Sequence, residues 1–333
     1  MLTVLGVDAG GTSTRVVVVD GGGRALGYAS SGAGNPVSSG ADQAAGAVRS
    51  ATREALRRAE TRADGVAHVV VAMAGSSVQP DTRWLTEPLA QLGLTALVTF
   101  ESDLLATFCA GTPADAGYAL VAGTGASAVR VEQGTAAAVS DGLGWLLGDV
   151  GSGYWIGHRV VVDALAALDG RAGQTALSSM LLESLGLSSP DRSSRPWEQP
   201  GARRDELLQE AVTRLYALRP VQLARFAPLA FAAPDDLVAR RIVDEAAQGL
   251  LVTLRAVVVP EVSGPVVLGG GTISQHGDLA RLVGSALGES DGPQVLTVSD
   301  GTVGAAVLAL RHAGVTVDEP VFATVTGTLS GLR

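Results

Sequence analysis

The segment GVDAGGTSTR (residues 6–15), followed directly by VVVVD (residues 16–20), decides how the chain begins to fold. Valine-rich runs of this length favour strands, and the pair of adjacent glycines breaks the chain between them. A plain hairpin turn needs neither the acid Asp8 nor three hydroxyl side chains in a row at 12–14. Main-chain N–H groups, hydroxyls and a carboxylate can hold a phosphate and its metal ion, so this turn is a candidate phosphate loop.

A second segment repeats this layout. Residues 2–29 predict a meander of three short strands, and YALVAGTGASAVRVEQGTAAAVSDG (residues 118–142) predicts another. When VDAGGTS (7–13) is aligned with VAGTGAS (121–127), the first turns of the two meanders coincide. Two similar lobes whose first turns face one cleft would hold a polyphosphate from both sides. Two unrelated hairpins are the alternative.

The rest of the chain alternates apolar runs with helical patterns, which predicts an α/β protein whose sheets are covered by helices. Further strands are predicted at 68–75, 95–100 and 265–274, and helices at 40–60, 84–92, 278–287 and 301–314. The pattern from 154 to 259 is mostly helical, and the polar stretch 187–204 predicts an exposed loop.

Composition limits the function classes. The 333 residues are 47% hydrophobic, enough for two packed domains. A net charge of -9 argues against nucleic acid or a membrane surface as a partner. All 24 basic residues are arginine, which excludes Schiff-base chemistry and any phosphate loop that requires lysine. The single cysteine, Cys109, and the absence of a leader-like or membrane-spanning segment lead us to expect a cytoplasmic protein.

Several separated segments together resemble one family, the N-acetylglucosamine kinases and BadF/BadG-type ATPases of the actin, hexokinase and Hsp70 superfamily. The matching segments keep the family's order: GVDAGGTSTR, GAGNP, ESDLLATFCAG, VAGTGASA, DGLGWLLGDVGSGYWIG, ARFAPLAFAAPDD, VVLGGGTIS and DGTVGAAVLAL. The resemblance implies an α/β fold of two RNase H-like (actin/hexokinase-like) lobes with an ATP cleft between them. We expect an N-terminal lobe at 1–115 and a C-terminal lobe at 116–333 with a helical insertion, the last segment packing back on the first lobe.

The resemblance assigns the two glycine turns to ATP. Phosphate contacts are expected from two sets of residues: Gly10, Gly11 and Thr12 in the first turn, and Gly123, Thr124 and Gly125 in the second. Asp8 would hold Mg²⁺, mostly through water, and a turn-forming aspartate that caps its own backbone is the alternative. Arg15 fits a structural salt bridge as well as a ligand contact.

Asp103 is the candidate catalytic base. It follows a predicted strand where a helix begins, and ligands gather at the carboxyl ends of strands in open sheets. A kinase needs a carboxylate that accepts the proton of the attacking hydroxyl. An acid that stabilises the first turn of a helix is the alternative, and the resemblance of the segment to the family favours catalysis.

Sugar contacts are expected from Asn35, Asp103, Gly144, Trp145 and Asp149. The amide of Asn35 can donate and accept, Asp149 can accept from vicinal hydroxyls, and Trp145 shapes a wall or belongs to the core. Where relatives commonly read Gly-Asp-Glu-Gly-Ser, this chain has Val150 in place of the glutamate.

The last expected nucleotide contact is the glycine run Gly269, Gly270 and Gly271, where bare backbone suits an adenine or ribose. Close packing of helix and strand is the alternative. The four histidines are scattered without ligand spacing and are expected to be structural.

These expectations predict an ATP- and Mg²⁺-dependent kinase that phosphorylates the 6-hydroxyl of N-acetylglucosamine. A kinase of another hexosamine such as glucosamine, or a non-catalytic sugar or nucleotide sensor, is the alternative. A single cysteine cannot supply the four cluster ligands of dehydratase activators, or a Cys/His zinc site. The resemblance also suggests a homodimer.

Overall fold

The computed structural model describes residues 2–75, 81–187, 206–287 and 292–333, so the predicted loop at 187–204 lies outside the described residues except for its first position. The first of two five-stranded sheets has the order β3-β2-β1-β4-β5. Its strands are β1 (Thr3–Ala9), β2 (Thr14–Asp20), β3 (Ala25–Ser31), β4 (His68–Met73) and β5 (Leu97–Ser102). β1 to β3 form an antiparallel meander, and β4 and β5 run parallel to β1.

The second sheet repeats this arrangement strand for strand, in the order β10-β9-β6-β7-β8. Its strands are β6 (Gly117–Ala122), β7 (Ala126–Glu132), β8 (Thr135–Asp141), β9 (Val266–Gly269) and β10 (Val295–Thr297). β6 to β8 are antiparallel neighbours, and β9 and β10 run parallel to β6. The duplicated meander predicted from the two glycine turns is therefore confirmed, and with it the α/β class.

Strand register places the functional candidates together at the carboxyl-terminal ends of the parallel strands of the first sheet. Asp8 in β1 is level with Ala72 in β4, and Ala72 is level with Glu101 in β5. Neighbouring strands lie about 4.8 Å apart, so Asp8 and Glu101 are separated by two strand spacings, about 10 Å. Asp103 follows Glu101 by two residues and begins the next helix.

Helices cover the outer face of the first sheet. They are the long α2 (Ala41–Arg58) and α3 (Arg83–Ala90), and the short α1 (Pro36–Ser39) packs on α2. Val48 and Ala51 of α2, with Leu85 of α3, pack on Leu5 and Val69 from the strands. The amphipathic pattern read at 40–60 is therefore the packing face of α2.

Two helices form a layer between the sheets. They are α4 (Asp103–Gly111) and α12 (Thr302–His312), which pack against each other. α4 contacts both sheets, whereas α12 covers the inner face of the first sheet so closely that a Cβ on Gly6 would lie 2.6 Å from the backbone of Ala306. α13 (Glu319–Ser330) packs on α12 and β3. The C-terminal helices thus complete the core of the N-terminal sheet.

The remaining helices form a layer beyond the outer face of the second sheet. They are α5 (Gly153–Leu168), α6 (Ala176–Ser184), α7 (Glu206–Tyr216), α8 (Ala227–Phe231), α9 (Leu237–Arg255), α10 (Gly271–Gln275) and α11 (Gly277–Ala286). Of these helices, α9 and α10 contact the sheet directly. A 3₁₀ segment (Pro220–Phe226) packs on α5. In the described part of the chain, no helix is both long and apolar enough to cross a membrane.

Candidate active site

The first glycine turn joins β1 to β2 and is fixed by its own backbone. The N–H of Gly10 donates to the carbonyl of Ser13 at 2.9 Å. The carbonyl of Gly10 accepts from Gly34 at 3.0 Å and from Asn35 at 3.2 Å. The turn is therefore tied to the loop that carries the candidate sugar contact Asn35.

Asp8 lies beside this turn in a buried, acidic environment. Its carboxylate accepts from the N–H of Gly301 at 3.1 Å and faces the Arg15 guanidinium at 3.5 Å. Burial, followed by the negative charge of Asp300, raises the pKa of Asp8 to about 6, against the attraction of Arg15. The negative charge of Asp103 raises the pKa of Asp8 further, so the two predicted acids lie close enough for their charges to interact.

Asp103 is the first residue of α4, and its position follows from local structure. The hydroxyl of Ser102 accepts from the N–H of Leu104 at 3.1 Å, which caps the helix and fixes its start. Burial raises the pKa of Asp103 to about 6, although the N–H groups of the first helical turn favour its ionised form. A carboxylate with this pKa is ionised at neutral pH and basic enough to accept a proton.

The second glycine turn faces the first across the cleft. A Cβ placed on Gly11 would lie 4.0 Å from the hydroxyl of Thr124, so the two turns approach to van der Waals distance. The carbonyl of Gly123 accepts from the N–H of Gly153 at 2.7 Å and from the hydroxyl of Thr272 at 2.8 Å. The second turn is thereby fixed to the starts of α5 and α10.

The glycine run at the end of β9 adjoins this second turn. Gly271 N lies 3.8 Å from the position of a Cβ on Gly123, so the run and the turn are neighbours. Gly270 has φ of +89°, and a Cβ there would lie 2.6 Å from the backbone of Ala122. The tight packing explains the glycine at 270, and the nucleotide contact of the run stays a prediction.

The predicted sugar residue Asn35 is buried and has partners within the protein. Its Oδ1 accepts from the N–H of Val37 at 2.8 Å and caps α1, and its Nδ2 donates to the carbonyl of Ala74 at 3.1 Å. These bonds fix the amide beside the first turn. A sugar would use the remaining hydrogen-bonding capacity of the side chain, and that contact stays a prediction.

Asp149 lies against the second turn. It is 7% exposed, its Oδ1 accepts from the N–H of Ala126 at 3.1 Å, and both its oxygens lie 3.0 Å from the position of a Cβ on Gly125. Burial raises its pKa. A glycine at 125 therefore lets this carboxylate reach the turn, a role that sequence reasoning did not find.

The stretch around the predicted sugar wall is exposed and apolar. Trp145 is 41% exposed and meets the ring of Tyr154 edge-on, with centroids 5.7 Å apart. Leu146 and Leu147 are exposed beside it. Val150, the departure from the family pattern, is in close contact with the position of a Cβ on Gly249 in α9. Its side chain thus packs on a helix.

Sequence reasoning also missed Asp300. Its carboxylate accepts from Arg333 at 2.7 Å and from the N–H of Thr302 at 2.9 Å, and it lies 3.6 Å from the Nε of Arg15. Arg15 therefore bridges Asp8 and Asp300, which gives it the structural salt bridge that was one of its two interpretations. The only signal in the sequence was an acid directly before the glycine that precedes α12.

The acidic environment of Asp8 fits a divalent cation. No group of three or more metal-ligating side chains occurs among the residues described. Mg²⁺ does not need one, because it is usually bound by one or two carboxylates together with waters and substrate phosphates. Asp8 and the nearby Asp103 supply negative charge that Arg15 balances only in part.

The doubled sheet and its two facing glycine turns give a two-lobed fold of the actin and hexokinase type. A family model described as the BadF/BadG/BcrA/BcrD ATPase family matches residues 5–309. The chain belongs to this family.

Individual relatives agree with this assignment. The chain is 28% identical over 336 residues to the N-acetyl-D-glucosamine kinase of Dictyostelium discoideum, covering 92% of this chain and 97% of the relative. It is 25% identical over 258 residues to the N-acetylmuramic acid/N-acetylglucosamine kinase of Clostridium acetobutylicum, covering 78% and 80% of the two chains. A Chromobacterium violaceum structure assigned as an N-acetylglucosamine kinase shares the fold, with a TM-score of 0.73, 24% identity and coverage of 93% and 99%.

Proposed function

We propose that this protein is an ATP-dependent kinase that transfers the γ-phosphate of ATP to the 6-hydroxyl of N-acetylglucosamine. The observation that carries the proposal is the approach of two matching glycine turns, at Gly11 and Thr124, beside the partly buried acids Asp8 and Asp103. Membership of an ATPase family supports ATP as the substrate, and the kinases named among the relatives support the amino sugar.

The side chains of this protein would hold the reactants and move one proton. Backbone N–H groups of the turns at 10–12 and 123–125 would bind the phosphates. The Oδ atom of Asp103 would accept the proton of the sugar hydroxyl as that oxygen attacks phosphorus, which the raised pKa permits. Asn35, Gly144, Trp145 and Asp149 would bind and orient the sugar.

Mg²⁺, when bound, neutralises charge on the transferred phosphate. Asp8 would hold it, mostly through coordinated water. We further propose that the enzyme acts in the cytoplasm, where ATP is available, and homodimerisation stays a prediction of the family resemblance.

The decisive experiment measures ADP release from ATP and Mg²⁺ with a panel of sugars. The panel contains N-acetylglucosamine, glucosamine, N-acetylmuramic acid, N-acetylmannosamine and glucose. We expect turnover with N-acetylglucosamine and a loss of at least about 1000-fold in Asp103→Asn, because general-base catalysis and positioning act together there. Asp278→Asn, an exposed acid on α11, is the matched control and should keep full activity.

The same panel separates the alternatives. Turnover with glucosamine in place of N-acetylglucosamine would move the assignment to another hexosamine kinase. ATP binding by calorimetry without turnover on any sugar would contradict a kinase for these substrates and favour a sensor, with Val150 as the marker of that change.

A further inference from the structure

Arg219 lies on the second lobe and reaches across the cleft to the first. It immediately precedes the 3₁₀ segment Pro220–Phe226, and its Nη2 donates to the carbonyl of Ser38 in α1 at 3.1 Å. Among the residues described, this is the only side-chain hydrogen bond that joins residues 2–111 to residues 117–287. The contact is therefore a direct polar link between the lobes at the cleft.

On the first lobe, the link leads to the first glycine turn. The N–H and hydroxyl of Ser38 both donate to the carbonyl of Asn35, at 3.2 and 2.9 Å. The N–H of Asn35 in turn donates to the carbonyl of Gly10 at 3.2 Å. The side chain of Ser38 also lies 3.5 Å from the position of a Cβ on Gly11. An interaction that fixes the position of Ser38 therefore also fixes the position of the first glycine turn.

On the second lobe, the link leads to the second glycine turn. The segment that Arg219 precedes packs so closely on α5 that a Cβ on Gly157 would overlap the carbonyl of Leu223. The start of α5 is bonded to the second turn, since the N–H of Tyr154 donates to the carbonyl of Thr124 at 3.2 Å. One arginine therefore closes a continuous path of contacts between the two turns.

We propose that Arg219 is a positioning residue, a latch that holds the lobes closed so that the two turns bind one ATP and water stays out of the cleft. This inference rests on the proposed kinase function. Arg219 is exposed and has no carboxylate partner among the described residues, so its guanidinium is free to form and release the bond as the lobes move. Closure that excludes water limits hydrolysis of ATP without transfer to the sugar.

The test compares Arg219→Ala with Arg219→Lys and Arg225→Ala. Arg225 lies in the same segment, but its guanidinium sits over the ring of its neighbour Phe226 at 5.6 Å. Among the described residues it forms no hydrogen bond or ion pair with the first lobe. A hydrogen bond of ordinary net strength corresponds to about a fivefold change in an equilibrium. We expect Arg219→Ala to raise the KM for N-acetylglucosamine about fivefold with kcat changed less than about twofold.

The readout specific to a latch is the coupling of ATP consumption to phosphorylation of the sugar. In Arg219→Ala, the ratio of ADP released to sugar phosphate formed should rise above that of the wild type. In Arg219→Lys, this ratio should lie between those of the wild type and Arg219→Ala, because an ammonium group still donates to a carbonyl. Arg225→Ala should match the wild type. Unchanged KM and coupling in Arg219→Ala, or equal changes in Arg225→Ala, would overturn the latch.

Small-angle X-ray scattering with a non-hydrolysable ATP analogue, Mg²⁺ and N-acetylglucosamine tests closure without turnover. The wild type should contract on adding these ligands, and Arg219→Ala should contract less. Equal contraction would refute the latch whatever the kinase assay shows. Failure of wild-type turnover, with a difference in contraction between the proteins, would refute the proposed reaction while supporting the latch.

Discussion

Replacing the candidate base should stabilise the protein while abolishing its activity. The pKa of Asp103 is raised from 3.8 to about 6 by burial, so ionisation of this carboxyl opposes folding. Each pKa unit corresponds to about 1.4 kcal/mol, which makes the cost at most about 3 kcal/mol. The side chain is only half-buried, so solvent screens part of this cost. We therefore expect Asp103→Asn to increase the free energy of unfolding by about 1–2 kcal/mol at pH 8.

The sign of the effect fixes its pH window. The carboxyl is neutral in both states below the unfolded pKa of 3.8, so the substitution gains nothing there. The penalty grows as the pH rises, and it is complete once the folded carboxyl has ionised above pH 6. The gain of Asp103→Asn should therefore be small at pH 4, increase from there to about pH 6, and be constant above about pH 7.

Urea unfolding of the ligand-free protein between pH 4 and pH 8 measures this difference in free energy. Asp236→Asn is the matched control with the opposite sign. The Asp236 carboxylate accepts from the N–H groups of Val238 and Ala239 at the start of α9 and of Ala176 at the start of α6. Against the effect of burial, these bonds lower its pKa. Its replacement should destabilise the fold at pH 8. A loss of stability in Asp103→Asn at pH 8, or a gain independent of pH, would refute the reasoning.

Three further outcomes are expected. The value of kcat/KM should fall about tenfold per pH unit below pH 6, because protonated Asp103 cannot accept a proton; initial rates between pH 5 and 8 measure this, and a flat profile contradicts it. Gly125→Ala should weaken ATP binding in calorimetry about tenfold, since the added methyl meets both carboxylate oxygens of Asp149 at 3.0 Å; unchanged affinity would show that this turn does not bind phosphate. Gly270→Ala, at φ of +89°, should lower the free energy of unfolding in urea by about 1–3 kcal/mol, whereas Gly277→Ala, where the added methyl meets open space, should lower it much less. Similar losses in the two variants would contradict backbone strain at residue 270.

Most of the fold could be predicted because it is written in local patterns. Apolar runs interrupted by glycine-containing turns specify the two meanders, and the amphipathic period at 40–60 specifies α2. β10 and α13 were missed for physical reasons. β10 has only three residues, none of them fully buried. In α13, five of the twelve residues are serine, threonine or glycine, which weakens the helical pattern.

The candidate site was predictable only in part. Asp8 and Asp103 stand at strand ends, a position that the sequence reveals. The partners of these acids are set by tertiary structure: Asp8 accepts from Gly301, 293 positions further along the chain. The bond from Asn35 to Ala74 and the approach of Arg219 to Ser38 likewise depend on elements that are distant in sequence. No local pattern records such contacts.

The position of α12 on the first sheet also sets an order of events during synthesis. The inner face of that sheet, including Val4, Val17 and Val70, is covered by Ala305 and Leu308 of α12. Its last strand ends at 102, and α12 begins at 302. A ribosome adding about 5–20 residues per second needs about 10–40 s to make the intervening segment. Throughout that interval the nascent N-terminal sheet lacks α12, and α4 covers only a small part of its inner apolar face. A chain released before residue 302 is therefore expected to aggregate or to occupy chaperones.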